Sequence, residues 1–350
     1  MERLYIRADA NQTIATGHLM RCLSIADAMK KCGVDTVFIT ADCDGSNLIS
    51  TRGYRQIVLE SCWSNMEQEL PQLKKLIQQE HIVMLLVDSY YVTPLYMEEL
   101  KRETTIVYID DLPDYDSVTI YPCHVLVNYS AYADTFPYAE NYGNTKLLLG
   151  CAYTPLREQF SNILPHTISD AVTEALVMTG GTDNFHMGEQ IIQRLTDLYP
   201  NIHFTLISGG MNKALPTLRK LTEKIPNFSL SVNVSNLSDY MQKADIAITA
   251  GGTTLYELCA CGTPSISFSF ADNQLRNVHA FDRKKVIPYA GDLRDMSSEA
   301  DKTYARLEEI FSDFVENRNM REEYSRKMQS VVTTSTTERL AHELIQYLTN

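Results

Sequence analysis

The sequence predicts an α/β protein made of two Rossmann-like domains, each with a parallel sheet. Three observations lead there. Short apolar, β-prone runs alternate with segments of helical periodicity along most of the chain, the pattern of parallel strands joined by right-handed crossovers. The run His81-Ile-Val-Met-Leu-Leu-Val-Asp88 is apolar almost without a break, as a strand covered on both faces must be. The chain is 350 residues long and 44% hydrophobic, enough for two packed cores of ordinary size.

The elements follow in order. Leu4 to Arg7 is the first strand. From Leu19 to Met29 apolar residues recur at helical spacing, so Gly17 and His18 sit at a helix N-terminus beyond a strand's carboxyl end. Open α/β sheets place ligands there. The partial positive charge of that helix end disfavours imidazolium, which suits His18 to accept a proton near neutral pH. Capping of the helix is the plain alternative role. Thr36 to Thr40 and Gln56 to Leu59 read as strands, Met66 to Gln79 as a helix, and His81 to Asp88 as the buried strand. Thr93 and Pro94 open the next helix as cap and first residue. Thr105 to Ile109, Val125 to Asn128 and Leu147 to Gly150 complete the first half.

Ser161 to Asp170 is polar, carries Pro165 and lacks periodicity, which sets the expected domains at 1–162 and 163–350. The second half repeats the alternation. Ala175 to Thr179, Phe204 to Ser208, Ser229 to Val232, Asp245 to Thr249 and Pro264 to Phe270 are strands, and Leu237 to Lys243 and Leu255 to Cys261 are helices. The last fifty residues are helical and charged, and the final helix has the option of packing back on the first domain.

The net charge of −13 argues against nucleic acid or an anionic membrane as the main partner. The 8 cysteines are scattered, and Cys259-Ala-Cys261 has neither zinc nor thioredoxin spacing, so reduced thiols and a cytoplasmic location are expected. A strand begins within a few residues of the N-terminus, which leaves no room for a signal peptide, and no apolar run approaches membrane-spanning length. No His/Cys/Asp/Glu cluster has metal spacing, so neither metal nor cofactor is expected.

Two turns suit a phosphate. Gly180-Gly181-Thr182-Asp183 and Gly251-Gly252-Thr253-Thr254 each follow a strand and open a helix, where free amides and hydroxyls bind oxyanions. Glu257, in the first turns of the second of these helices, is placed to accept ribose hydroxyls or merely to favour the helix dipole. Asn273 and Gln274 read sugar hydroxyls or cap a helix. Asp9, Asp88, Asp110 and Asp111 lie at strand ends, most of them as structural caps. Tyr129, Tyr132, Tyr138 and Tyr142 either line a sugar pocket or pack as ordinary loop aromatics.

Taken together these motifs resemble a known family. They are Ile6-Arg-Ala-Asp9, Gly17-His18 with Arg21-Cys22, Val87-Asp-Ser-Tyr90, Ile109-Asp-Asp-Leu112, Val127-Asn128 with Ala131-Tyr132, and Leu149-Gly150 with Leu156-Arg157-Glu158. Gly180-Gly-Thr-Asp183, Ala250-Gly-Gly-Thr-Thr with Glu257, and Asp272-Asn-Gln274 continue the series. Order and content are similar to the UDP-2,4-diacetamido-2,4,6-trideoxy-β-L-altropyranose hydrolases of pseudaminic acid biosynthesis, over roughly residues 3 to 285. The resemblance implies a glycosyltransferase B type fold, two Rossmann-like domains facing a cleft, similar to the lipid II-forming N-acetylglucosaminyltransferase. It implies metal-independent hydrolysis of the UDP-sugar, with inversion at the anomeric carbon. His18 matches the catalytic base. Asn273, Glu257 and Tyr90 match substrate-contacting positions, and Gly17, Asn128, Tyr132, Gly180, Gly181, Thr182, Asp183, Gly252, Thr253 and Gln274 complete the expected substrate site. Family members usually carry Gly-x-Gly-His, and here Ala15 replaces the first glycine. A glycosyltransferase of the same fold, with His18 activating an acceptor hydroxyl, is the alternative. A non-catalytic UDP-sugar-binding module is a third reading, against which the intact Gly17-His18 pair argues. Asp9 is expected to position His18 or its loop, with a purely structural role as the equal alternative, while Arg7 and Arg21 receive no role from the sequence, and nor does the oligomeric state.

Overall fold

The computed structural model describes residues 3–110, 119–294 and 298–348. Asp111 and Leu112 of the strand-end motif lie outside the described residues. The chain divides into two compact units, Met1–Ser161 with Ser335–Asn350, and Asn162–Thr334.

The first unit holds the strands β1 (Arg3–Ala8), β2 (Asp35–Thr40), β3 (Arg55–Val58), β4 (Met84–Asp88), β5 (Thr105–Ile109), β6 (Val125–Asn128) and β7 (Lys146–Leu149). They form one parallel sheet in the order β3-β2-β1-β4-β5-β6-β7. Its helices are α1 (Gly17–Lys31), α2 (Ser46–Thr51), α3 (Leu70–Gln79), α4 (Pro94–Lys101) and the single turn α5 (Tyr138–Asn141). Every residue of β4 is buried, the reason its sequence shows no polar alternation. Tyr5, Val37, Ile39, Leu85, Val87, Ile106 and Leu126 build one core with Leu73 and Ile77 of α3 and Met97 and Leu100 of α4. The helix expected from Met66 is broken in two: Met66–Glu69 is a 3₁₀ turn and α3 begins at Leu70. Pro71, second in α3, has no amide to continue a helix begun earlier. The Thr93 hydroxyl oxygen accepts the Tyr96 amide at 3.1 Å and Pro94 opens α4.

The second unit holds β8 (Glu174–Met178), β9 (His203–Ser208), β10 (Phe228–Val232), β11 (Ile246–Ala250), β12 (Ser265–Ser269) and β13 (Tyr289–Asp292), again a parallel sheet, in the order β10-β9-β8-β11-β12-β13. Its helices are α6 (Met187–Leu198), α7 (Leu215–Thr222), α8 (Leu237–Lys243), α9 (Thr254–Cys261), α10 (Asp272–Arg283), α11 (Ser298–Glu316) and α12 (Arg318–Val331). Val177, Phe204, Leu206, Ile248, Ile266 and Phe268 meet Ile191 of α6 and Phe311 and Phe314 of α11 in its core. The polar stretch before β8 is tied down. The buried Arg321 guanidinium of α12 donates to the carbonyls of Ser169 (2.7 Å), Asp170 (3.1 Å) and Phe314.

The last helix, α13 (Thr336–Leu348), belongs to the first unit. Leu340, Ala341, Leu344 and Leu348 are buried, the buried Thr337 hydroxyl accepts the Leu156 amide at 2.8 Å, and Glu343 pairs with Lys146 at 3.2 Å.

Candidate active site

In each sheet the chain changes direction at a central strand pair, and the carboxyl ends there open a crevice. In the first unit that pair is β1 and β4, with Ala8 opposite Asp88. The loop leaving β1 is folded on itself. Asn11 Oδ1 accepts the amides of Thr13 (2.9 Å) and Ile14 (3.0 Å), Asn11 and Ala15 form an antiparallel bridge, and Ala15 is held at φ +58°. The position where the resembled family carries glycine is thus one where an L side chain is strained. Gly17 and His18 then open α1. A Cβ on Gly17 would meet nothing within 4 Å, so the space before this turn is open.

His18 is 5% exposed. Its Nδ1 lies 2.6 Å from Asp88 Oδ1. Asp88 is fully enclosed, and Arg21, one helical turn after His18, grips the same carboxylate: Nε donates to Oδ2 at 2.6 Å and Nη2 to Oδ1. Arg21 Nη1 donates to the Tyr129 hydroxyl at 2.9 Å, and the Cys22 thiol lies 3.4 Å from Asp88 Oδ2. Burial by itself raises the Asp88 pKa, but the charge of Arg21, with the hydrogen bonds from Arg21 and His18, outweighs it and holds the carboxyl well below the usual range. An ionised carboxylate only accepts, so Nδ1 carries the proton it shares with Asp88. Among the described residues Nε2 makes no hydrogen bond and remains an acceptor. The Tyr90 ring, 47% exposed, stands edge-on to the imidazole at 4.3 Å. This arrangement can take a proton at one defined atom.

The other strand-end groups of this unit look inward. Asp9 does not reach His18: its Oδ2 pairs with Arg7 Nη1 at 2.5 Å and its Oδ1 accepts the Ala41 amide at 2.7 Å. Arg7 is forked onto Glu69 (2.7 and 2.9 Å), which also accepts the hydroxyls of Ser61 and Tyr96. Burial lowers the Arg7 pKa, and Glu69 and Asp9 more than reverse that, so this cation is permanent. Asn128, expected to touch substrate, is 0% exposed: Nδ2 donates to the Tyr138 hydroxyl at 2.8 Å, and Oδ1 accepts the Ser130 amide at 3.0 Å and the Ser130 hydroxyl. The Tyr138 hydroxyl in turn donates to Asp110 Oδ2 at 2.8 Å. The expected contact is corrected to a structural role, because the amide satisfies the end of β6. Tyr132 is buried with its ring 5.9 Å from that of Phe136, and Tyr138 and Tyr142 belong to the core, whereas the Tyr129 hydroxyl meets Arg21.

In the second unit the central pair is β8 and β11. The two glycine turns there differ. Gly180 has φ +87°, and a Cβ on the neighbouring Gly209 would come within 2.4 Å of the Gly181 backbone, so two strand ends touch here main chain to main chain. Asp183, expected at the substrate, is buried. Its two oxygens accept the amides of Met187 (2.8 Å) and Gly188 (3.0 Å) that open α6. The helix end read as an anion site already has its own carboxylate, which would repel a phosphate. Thr182 is half-buried beside it.

The second turn is open. Gly251 is required by packing, since a Cβ there would lie 2.4 Å from Val278 of α10. Gly252 faces free space, Thr253 is exposed, and no side chain caps α9. Glu257 is buried one turn in. Beyond β12, Gln274 Oε1 caps locally by accepting the Phe270 amide at 2.9 Å, whereas Asn273 is exposed at the start of α10. The expected set thus separates into groups available at strand ends (Gly17, His18, Tyr90, Gly252, Thr253, Asn273) and groups satisfied internally (Asn128, Asp183, Gln274).

Asp88 is not singled out among the strand-end aspartates by the sequence, and Arg21 has no role there. The signal was present: two polar strand ends, Asp9 and Asp88, and an Arg three residues after His18 on the same helix face. Only the adjacency of β1 and β4 picks Asp88 out of the strand-end aspartates.

Among the described residues no group of three or more His, Cys, Asp or Glu is placed to hold a metal ion, and no helix is long and apolar enough to cross a membrane. The glycosyltransferase family 28 C-terminal domain matches residues 175–341. The spore coat polysaccharide biosynthesis protein SpsG of Bacillus subtilis is 23% identical over 282 residues, 79% of this chain and 80% of that protein. The pseudaminic acid cytidylyltransferase and UDP-2,4-diacetamido-2,4,6-trideoxy-beta-L-altropyranose hydrolase of Helicobacter pylori is 21% identical over 318 residues, 89% of this chain and 54% of that protein. This chain therefore aligns with about half the length of the Helicobacter protein. Among solved structures, MurG of Acinetobacter baumannii superposes with a TM-score of 0.68 at 12% identity over 99% of both chains. The pneumococcal O-GlcNAc transferase GtfA, in complex with UDP and GlcNAc, superposes with 0.65 at 10% identity over 100% of this chain and 99% of that one. The chain has the glycosyltransferase B fold.

Proposed function

We propose that the protein hydrolyses a UDP-sugar, UDP-2,4-diacetamido-2,4,6-trideoxy-β-L-altropyranose, to UDP and the free sugar, as a step of pseudaminic acid biosynthesis. The observation that carries the reading is the His18 imidazole, held through Nδ1 by Asp88 with Nε2 left to take a proton. A water oxygen forms its bond to the anomeric carbon while His18 Nε2 accepts the water's proton. The bond from that carbon to the diphosphate oxygen breaks with its electron pair, and UDP departs from the opposite face, which inverts the centre. General base catalysis contributes ~10²–10⁴-fold, and positioning and stabilisation of the departing diphosphate contribute the rest. The first unit supplies the base. In the second, the open turn Gly252-Thr253 and the first turn of α9 bind the diphosphate through amides and a hydroxyl, without a metal, and Glu257 and Asn273 contact the ribose and the sugar. The sequence motifs and the activity for which the Helicobacter relative is named support this choice of substrate.

A glycosyltransferase is the second reading, favoured by the family 28 match and by the MurG likeness. UDP release without acceptor and with EDTA present separates the two. Release that collapses in His18→Ala, with UDP binding retained, supports hydrolysis. Absence of release until an acceptor hydroxyl is supplied favours transfer.

A further inference from the structure

We propose that Arg21 is a positioning residue that shares the Asp88 carboxylate with His18, so that Asp88 fixes the imidazole without trapping a second proton on it. The inference rests on the role given to His18 above.

A carboxylate enclosed beside a histidine does two things at once. It orients the ring through Nδ1–H, and it stabilises imidazolium. The first helps a base; the second disables it, because an imidazolium has no lone pair on Nε2. A base of this kind therefore needs a carboxylate whose field is partly cancelled. Arg21 meets that need. Its guanidinium takes both Asp88 oxygens, Nε on Oδ2 at 2.6 Å and Nη2 on Oδ1, the oxygen that also faces His18. Nη2 lies 3.0 Å from His18 Nδ1, too near for the ring to gain a full positive charge without repulsion. The guanidinium is itself set in place by the Tyr129 hydroxyl at 2.9 Å, and its carbon lies 5.7 Å from the centre of that ring.

The charged and titratable groups that face His18 include Arg21 and Cys22 from its own helix and Asp88 and Tyr90 from the end of β4, with Tyr129 beyond β6 reaching it through Arg21. Cys22 adds no charge. Burial and then Asp88 push its thiol pKa well up, so it stays a neutral donor to Asp88 Oδ2. Arg21 brings a cation to this set. A lysine would bring the charge but not the fork that holds two oxygens in one plane.

The test is the pH titration of the His18 ring, followed by NMR on the full-length, unliganded protein with labelled histidine, the resonance being assigned by its loss in His18→Gln. Arg21→Gln should move the midpoint upward by roughly one pH unit, the size exerted by a single nearby charge. Arg21→Lys should move it upward by less. In the UDP-release assay the acidic limb of kcat/KM should shift by the same amount, with KM unchanged. A midpoint that stays in place or falls in Arg21→Gln overturns the proposal, as does a uniform loss of rate with an unmoved limb, the mark of a merely structural residue. Should Arg21→Gln not fold, Arg21→Lys alone decides by the same criterion. The ring titration needs no turnover. A shifted midpoint in a protein that releases no UDP would remove the hydrolase reading and leave the Arg21 proposal standing.

Discussion

The carboxyl edges of the two sheets are built by opposite means. At the first, charged side chains are buried in bonded groups: Arg7 with Asp9 and Glu69, and His18 with Asp88 and Arg21. At the second, the exposed elements are a glycine, a threonine and an uncapped helix end, and of the two buried carboxylates there among the described residues, Asp183 closes a helix and Glu257 lies one turn into the next. On the function proposed above, the difference follows the task of each edge. Moving a proton needs a titrating atom whose neighbours are fixed, and fixing it in a low-dielectric site takes opposite charges. Holding a diphosphate needs donors that approach closely, and main-chain amides do this without adding charge to an acidic chain.

If the two edges divide the chemistry in this way, substitutions at the first should change rates and substitutions at the second should change binding. The largest effect is expected for His18→Ala: UDP release falls by ~10²–10⁴-fold while UDP affinity in calorimetry stays at the wild-type value. Loss of affinity together with rate would join the edges into one function and break the division. Next is Asp88→Asn, with a rate loss approaching that of His18→Ala, because an amide in place of the carboxylate favours the wrong imidazole tautomer. The same variant carries a stability signature. The folded-state pKa of Asp88 is depressed, so its stabilisation is present above the unfolded value of about 3.9 and is lost as pH falls below that. Stability curves of wild type and Asp88→Asn should differ at neutral pH and converge in acid. Parallel curves would mean that Asp88 does not hold a charge-dependent structure.

Smaller effects sharpen the contrast within the second edge. Thr253→Ala should weaken UDP binding by about 1 kcal/mol, or roughly fivefold, through a lost hydroxyl contact. Asp183→Ala should cost about 0.5–2 kcal/mol of stability as a lost helix cap and leave UDP affinity as it was. A reversed outcome, with Asp183 governing affinity and Thr253 only stability, would return the anion to the first turn. The smallest effect is expected at Ala15, whose φ of +58° is one that glycine adopts without strain. Ala15→Gly trades relief of that strain against added freedom of the unfolded chain. A change in melting temperature of only a degree or two should result, with catalysis unchanged.

The two glycine turns also show what the sequence can and cannot tell. In sequence they are near twins: a strand, Gly-Gly-Thr, and a helix. Nothing local says that the first closes against Gly209 from another strand or that Asp183 turns back onto the helix it precedes, while the second stays open. Both facts depend on contacts between segments far apart or on the path of a few loop dihedrals. Tyr138 and Asn128 make the same point. Their types suit a sugar pocket, but they bond to each other and to Asp110, which buries them.

The sequence by itself determined the alternation of strands and helices, because each element's period and caps are local: the unbroken apolar run of β4, the Thr93-Pro94 start of α4, and the Leu237–Lys243 span of α8 were all readable. It also put Gly17 and His18 at a helix start beyond a strand. Strand order belonged to the tertiary structure alone. Only when β4 lies beside β1 does Asp88 come within 2.6 Å of a histidine 70 positions away, with Arg21 closing on the same carboxylate. Periodicity records which face of an element is apolar and not which element lies next to it. The pairing of base and carboxylate is a property of neighbours in the sheet, and packing of the whole unit decides who those neighbours are.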